Sequence, residues 1–199
     1  MSAIENAKTG IPFIDGAIRQ LQETGWINFR ARATLVSFVC CTCMQPWQGR
    51  FAHWLAKLFT DYEPGIHYLQ LQMQAGTMGI HTIRIYNPVK QLHDKDVDGK
   101  FVMKWLPEIA RLPKYLQAEP WKISPMESIE YDFILGRDYP LPIVSIEESN
   151  RYVRDVLYTI KSRINPDEKR SLLEKHGSRK KTPKKKNISV LSNNLSLFD

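Results

Sequence analysis

The stretch "TGWINFRARATLVSF", residues 24–38, sets Trp26, Phe29, Arg30 and Arg32 just ahead of a helix-length apolar run. From about Asn28 to Met44 the apolar positions fall nearly all round a helix: Phe29, Ala31, Ala33, Leu35, Val36, Phe38, Val39 and three cysteines. A helix of that kind is surrounded by others, and Pro46 closes it. Upstream, "TGIPFIDGAIRQLQETG" offers Thr9 as a cap and Pro12 in the first turn. Ile11, Ile14, Ile18 and Leu21 follow at helical spacing, with Gly25 as a stop. Downstream, Phe51, Trp54, Leu55, Leu58 and Phe59 predict a third helix from about Trp47 to Phe59.

These helices set the class: all-α, with long irregular loops. The 199 residues are 43% apolar and 11% aromatic, enough for one sizeable core. No window holds 18 unbroken apolar residues and the N-terminus lacks a signal core, so a cytoplasmic protein with no membrane contact is expected. Cys40, Cys41 and Cys43 match neither a secreted disulfide pattern nor a four-ligand zinc pattern, and read as buried thiols. His53 reads as a helix-surface residue, and His81 and His93 as loop residues. No metal site is expected.

From Thr60 to Gly99 periodicity fails. The run holds Pro64, Gly65, Gly76, Gly79 and Pro88 with three of the five histidines, and reads as loop wrapped around a ligand or partner. A short helix near Phe101 to Leu106 follows, then a Pro-punctuated passage. The last regular element is "SIEESNRYVRDVLYTIKSRI", where Tyr152, Val153, Val156, Leu157 and Ile160 make one apolar stripe.

The net charge of +7 is concentrated at the end. From residue 163 onward ten Lys or Arg stand against four Asp or Glu, a net of +6 that leaves +1 on the rest. "RKKTPKKK" at 179–186 repels itself and stays solvated. A domain over 1–163 and a basic, disordered tail over 164–199 are therefore expected. The tail is either a nucleic-acid tether or a solubilising end.

"TGIPFIDGAIRQLQETGWINFRARATLVSF", "PWQ", "TDYEP", "RIYNPVKQ" and "KWLPEI", in that order, resemble the C-terminal part of the FAD-binding helical domain of the cryptochrome/photolyase family. The resemblance implies a partial helical FAD-binding domain beside a DNA-facing cavity, with FAD as cofactor and DNA as partner. The implied chemistry is light-driven electron transfer from reduced flavin to a pyrimidine dimer.

It also implies roles for single residues. Arg32 pairs with Asp61 against the flavin ring; an arginine buried without its partner would cost about 3–5 kcal/mol. Trp26, Phe29, Tyr62, Glu63 and His67 line the flavin, with His67 opposite N5 and Tyr68 as the choice if the loop shifts by one residue. Arg30, Met73, Lys90 and Gln91 face DNA, and Trp47 is an electron relay.

Departures accompany the match. Phe29 stands where an Asn or His is common, Leu71 where the innermost relay Trp sits, and Met73 and Ala33 where lesion-contacting side chains sit. Trp54, Tyr62 or Tyr68 are alternative relay members. By the same resemblance, the antenna domain and the loop that grips the FAD diphosphate precede Met1, which leaves the ring-side half of the pocket. The alternative to a flavoenzyme is a non-catalytic remnant or split half that needs a partner chain, and an uncovered half-pocket favours self-association.

Overall fold

Pro12 opens the helix around which the others gather. In the computed structural model, which describes residues 1–77, 84–163 and single positions at 165, 167, 170, 171, 174 and 175, α1 spans Ser2–Glu5 and α2 Pro12–Thr24. The expected tail and His81 lie largely or wholly outside the described residues. Helix α2 buries Phe13, Ile14, Ile18 and Leu21, each worth roughly 1.5–3 kcal/mol when fully buried. Gly25 ends it in the left-handed conformation, as the sequence predicts.

Thr9 does not cap α2. Ile11 occupies the cap position, and Thr9 instead donates its hydroxyl and its backbone N–H to one oxygen of Asp15 (2.7 and 2.8 Å). The other Asp15 oxygen accepts from Gly10 N–H (3.0 Å) and from the Tyr139 hydroxyl (2.6 Å). This buried carboxylate pins the chain entry of α2 to a segment 124 residues away. Burial pushes the Asp15 pKa up, and the four donors oppose that rise.

Helix α3, Phe29–Ser37, runs into a π-helical turn at Phe38–Thr42, and α4 spans Arg50–Leu58. The wide turn lodges the cysteines in packed surroundings. Burial, the largest cause, pushes Cys40 up to about 12 and Cys43 up to about 11, so both thiols stay protonated at neutral pH.

The region from Thr60 to Gly99, read as loop, contains two helices: α5 at Pro64–Gln74 and α6 at Pro88–Lys95. Pro64 and Pro88 stand in the first turns, where the missing N–H costs nothing. Short helices follow: α7 at Lys100–Trp105, α8 at Pro107–Ala110, α9 at Lys114–Ala118 and α10 at Pro125–Glu130, with a 3₁₀ turn at Pro120–Lys122. The last, α11, spans Ile146–Arg163. Helix α2 touches α1, α3, α6, α7 and α9, and no strand occurs among the described residues.

Gly16 faces α7 without a side chain: a Cβ there would lie 2.6 Å from the Phe101 ring. Gly16→Ala should therefore lower stability by about 1 kcal/mol despite its better helix propensity. Urea titration checks this, and an unchanged or raised midpoint would show that the ring moves freely.

Candidate functional site

Two caps aim the expected site residues at one another. Asn28 Oδ1 accepts Ala31 N–H (2.9 Å) and starts α3, so Phe29, Arg32, Ala33 and Val36 share a face. Glu63 Oε2 accepts Ile66 N–H (2.6 Å) and starts α5, which turns His67, Gln70, Leu71 and Gln74 toward that face. The expected flavin contact Glu63 is thus committed, through one oxygen, to a helix cap.

Arg32 and Asp61 meet. Arg32 Nη2 donates to both Asp61 oxygens (2.8 and 3.0 Å), and Nη1 reaches Gln70 Oε1 (3.3 Å). The guanidinium carbon sits 3.7 Å from the centroid of the Phe59 ring. Sequence reading missed Phe59 and Gln70 as partners of Arg32. Their spacing was the available signal: Gln70 lies three residues past His67 on the same helical face. Arg32 is 12% exposed and Asp61 51% exposed, so the pair stands on a rim with its acid toward solvent.

Among the described residues, α3 and α5 lie against each other with little space between them. Phe29, Ala33, Val36, Leu55 and Leu71 close the cleft to about 10 Å³, no more than a single water needs. A tricyclic ring does not fit inside it. The outer face is different in character: Phe29 (57% exposed), Ile66 (56%) and Leu69 (54%) stand open, with Trp26 and Tyr62 also exposed. These residues fit one side of a flavin site, an apolar wall bordered by an ion pair, with the other side left open.

His67 is not an exposed loop residue. It lies in the first turn of α5, buried, with Nε2 3.2 Å from Ala52 O. That geometry places a proton on Nε2, which donates to the carbonyl. The rings of Tyr62 and Tyr68 meet it edge-on at 5.2 Å and that of Phe59 at 6.1 Å. Burial, and less strongly the Arg32 charge, lowers its pKa, against the Ala52 carbonyl and Asp61.

The sign of the pH effect follows. The unfolded chain takes up a proton near the ordinary value of 6.5, and the folded chain only at lower pH. Stability is then fully present above about 6.5 and falls as pH drops below it. Urea titrations between about pH 8 and 5.5 should show this fall in the wild type and a flatter profile in His67→Gln; equal profiles would remove His67 as the cause.

The other expected residues do not converge on this cleft. Arg30 and Lys90 are exposed and Met73 half-buried, while Gln91 has a buried carbonyl oxygen with no partner among the described residues. Trp47 packs at the core margin with its indole N–H buried and without a partner among the described residues, and is not among the cleft residues. Leu71, which the resemblance sets at the innermost relay position, is buried in the cleft wall. A larger recess of about 740 Å³, beside Trp121 and the start of α11, shares no residue with the cleft. No group of three or more His, Cys, Asp or Glu is placed to hold a metal among the described residues, nor is any helix there long and apolar enough to cross a membrane.

Residues 1–158 match the family model of the FAD binding domain of DNA photolyase. The chain belongs to that family. Cryptochrome DASH of Natronomonas pharaonis is 33% identical over 142 residues, 71% of this chain and 30% of the relative. The deoxyribodipyrimidine photo-lyase of Escherichia coli is 31% identical over 150 residues, again 30% of the relative. Among solved structures, a Synechocystis cryptochrome superposes with a TM-score of 0.73 at 29% identity, covering 77% of this chain and 32% of that one. A class III photolyase from Agrobacterium tumefaciens gives 0.73 at 26% identity over 81% of this chain and 34% of that one. The photolyase-family domain thus spans about 30% of the length of these curated relatives.

Proposed function

We propose that the outer face of α3 and α5 is the ring-side half of an FAD site in a photolyase- or cryptochrome-like flavoprotein. The observation that carries this reading is the Arg32–Asp61 pair on the rim of an exposed apolar wall. Bound reduced flavin supplies a photo-excitable one-electron donor. The residues supply its surroundings: Phe29 and Ile66 exclude water from the ring, and the Arg32 cation favours a negatively charged reduced ring. His67 holds a neutral imidazole beneath.

DNA is the proposed partner and pyrimidine-dimer repair the proposed chemistry, with Arg30, Met73, Lys90 and Gln91 toward DNA and Trp47 as relay. We assign residues 1–163 to the domain and 164–199 to a basic tail. The three free thiols support a reducing, cytoplasmic location. The closed cleft beneath an open apolar face favours a second reading, in which a further segment or chain completes the pocket.

A half-site on the ring side should recognise the ring. Riboflavin and FAD should quench on titration with comparable affinity, within about tenfold, whereas ADP should neither bind nor compete. Strong ADP competition, or no flavin uptake, would overturn the assignment.

A further inference from the structure

Helix α11 carries more apolar surface than the body of the protein covers. With about 100° per residue, Ile146, Asn150, Val153 and Leu157 share the side turned to the core. Ile146, Asn150 and Val153 are buried, and Asn150 Oδ1 accepts from Thr42 Oγ1 at 2.9 Å. The neighbouring stripe is open: Tyr152 is 56% exposed, Val156 37% and Ile160 51%. Glu148 in the first turn and Arg163 in the last lie on that same stripe, both exposed and without an ion-pair partner among the described residues.

A strip that is acidic at one end, mainly apolar in the middle with the exposed Thr159 alongside, and basic at the other complements a second copy of itself run the opposite way. We infer that α11 is a self-association surface, pairing antiparallel with α11 of a second chain about a two-fold axis at Val156. In that register Val156 meets Val156 of the second copy, Tyr152 meets Ile160, and Glu148 lies within one residue's rise of Arg163 at both ends. A parallel pair would set Glu148 against Glu148 and Arg163 against Arg163, so charge selects the antiparallel one. The strip is only roughly 22 Å long. The contact is therefore small and the dimer weak and concentration-dependent, unlike an obligate interface.

Sedimentation velocity on the full chain from roughly 5 to 500 µM, the range in which so small an interface associates, should show a monomer–dimer equilibrium. Val156→Asp, which sets two carboxylates face to face on the axis, should abolish it with helix content unchanged by circular dichroism. Glu148→Arg and Arg163→Glu should each weaken the dimer about tenfold, and the double variant E148R/R163E should restore it. Ile66→Ser, on the flavin-side face, should leave it intact. A chain that stays monomeric throughout would overturn the proposal. So would a dimer that survives Val156→Asp, that is lost in Ile66→Ser instead, or that the charge swap does not restore.

Discussion

Asp15→Ala should remove most or all of the stability of the fold. The substitution strips the acceptor from Thr9 N–H, the Thr9 hydroxyl, Gly10 N–H and the Tyr139 hydroxyl, in a place that water does not reach. Each orphaned buried donor costs about 1–3 kcal/mol, and with partial relaxation the sum is about 4–6 kcal/mol. That is comparable with the whole stability of a domain of this size, about 5–15 kcal/mol. Tyr139→Phe removes one donor and leaves the carboxylate its other three, so it should cost about 1–2 kcal/mol. Denaturant titration of both variants checks the ordering. Equal losses, or an Asp15→Ala protein as stable as wild type, would mean that the carboxylate is not the hub its four contacts describe.

Arg32→Ala should be the most damaging substitution for flavin uptake. The guanidinium bridges Asp61, Gln70 and the Phe59 ring, and its loss leaves the Asp61 carboxylate alone beside the apolar wall. A negative charge without its cation should repel a reduced anionic ring, and flavin affinity should fall at least about 30-fold, roughly 2 kcal/mol. Stability should fall by only about 1–2 kcal/mol, since the pair lies at the surface and the cation–π contact is the larger share. Asp61→Asn should be milder on both counts because Asp61 is half exposed. Anaerobic equilibrium dialysis with reduced riboflavin separates these outcomes. A variant that binds as tightly as wild type would place the flavin elsewhere.

What the sequence revealed and what it hid have physical causes. Helix α2 was legible because Ile14, Ile18 and Leu21 repeat on one buried face. Helix α5 was not, because its apolar residues split between two sides, with Leu71 inward and Ile66 and Leu69 outward. Pro64 and Pro88 punctuate the sequence like loop residues, yet they stand at helix starts, where proline fits as well as in a turn. Thr9 looked like a cap because a hydroxyl before a helix usually is one; a carboxylate six residues on took it instead. The Arg32–Asp61 pair was read from motif resemblance, and the structure brings the two together. The resemblance carried no information on how far α3 and α5 would close, since that depends on Phe29, Ala33 and Leu71 filling the space. The stripe on α11 was visible as a pattern, while its lack of cover is a property of the neighbours.

In the proposed site the Arg32 cation faces a flavin ring, a placement that favours the ring's reduced, anionic form. The most direct measurement of this is the ratio of riboflavin dissociation constants in the oxidised and reduced states, taken anaerobically on the wild-type chain and on Arg32→Gln. Wild type should bind the reduced form at least about tenfold more tightly, and Arg32→Gln should lose that preference. An unchanged ratio in the variant would contradict it.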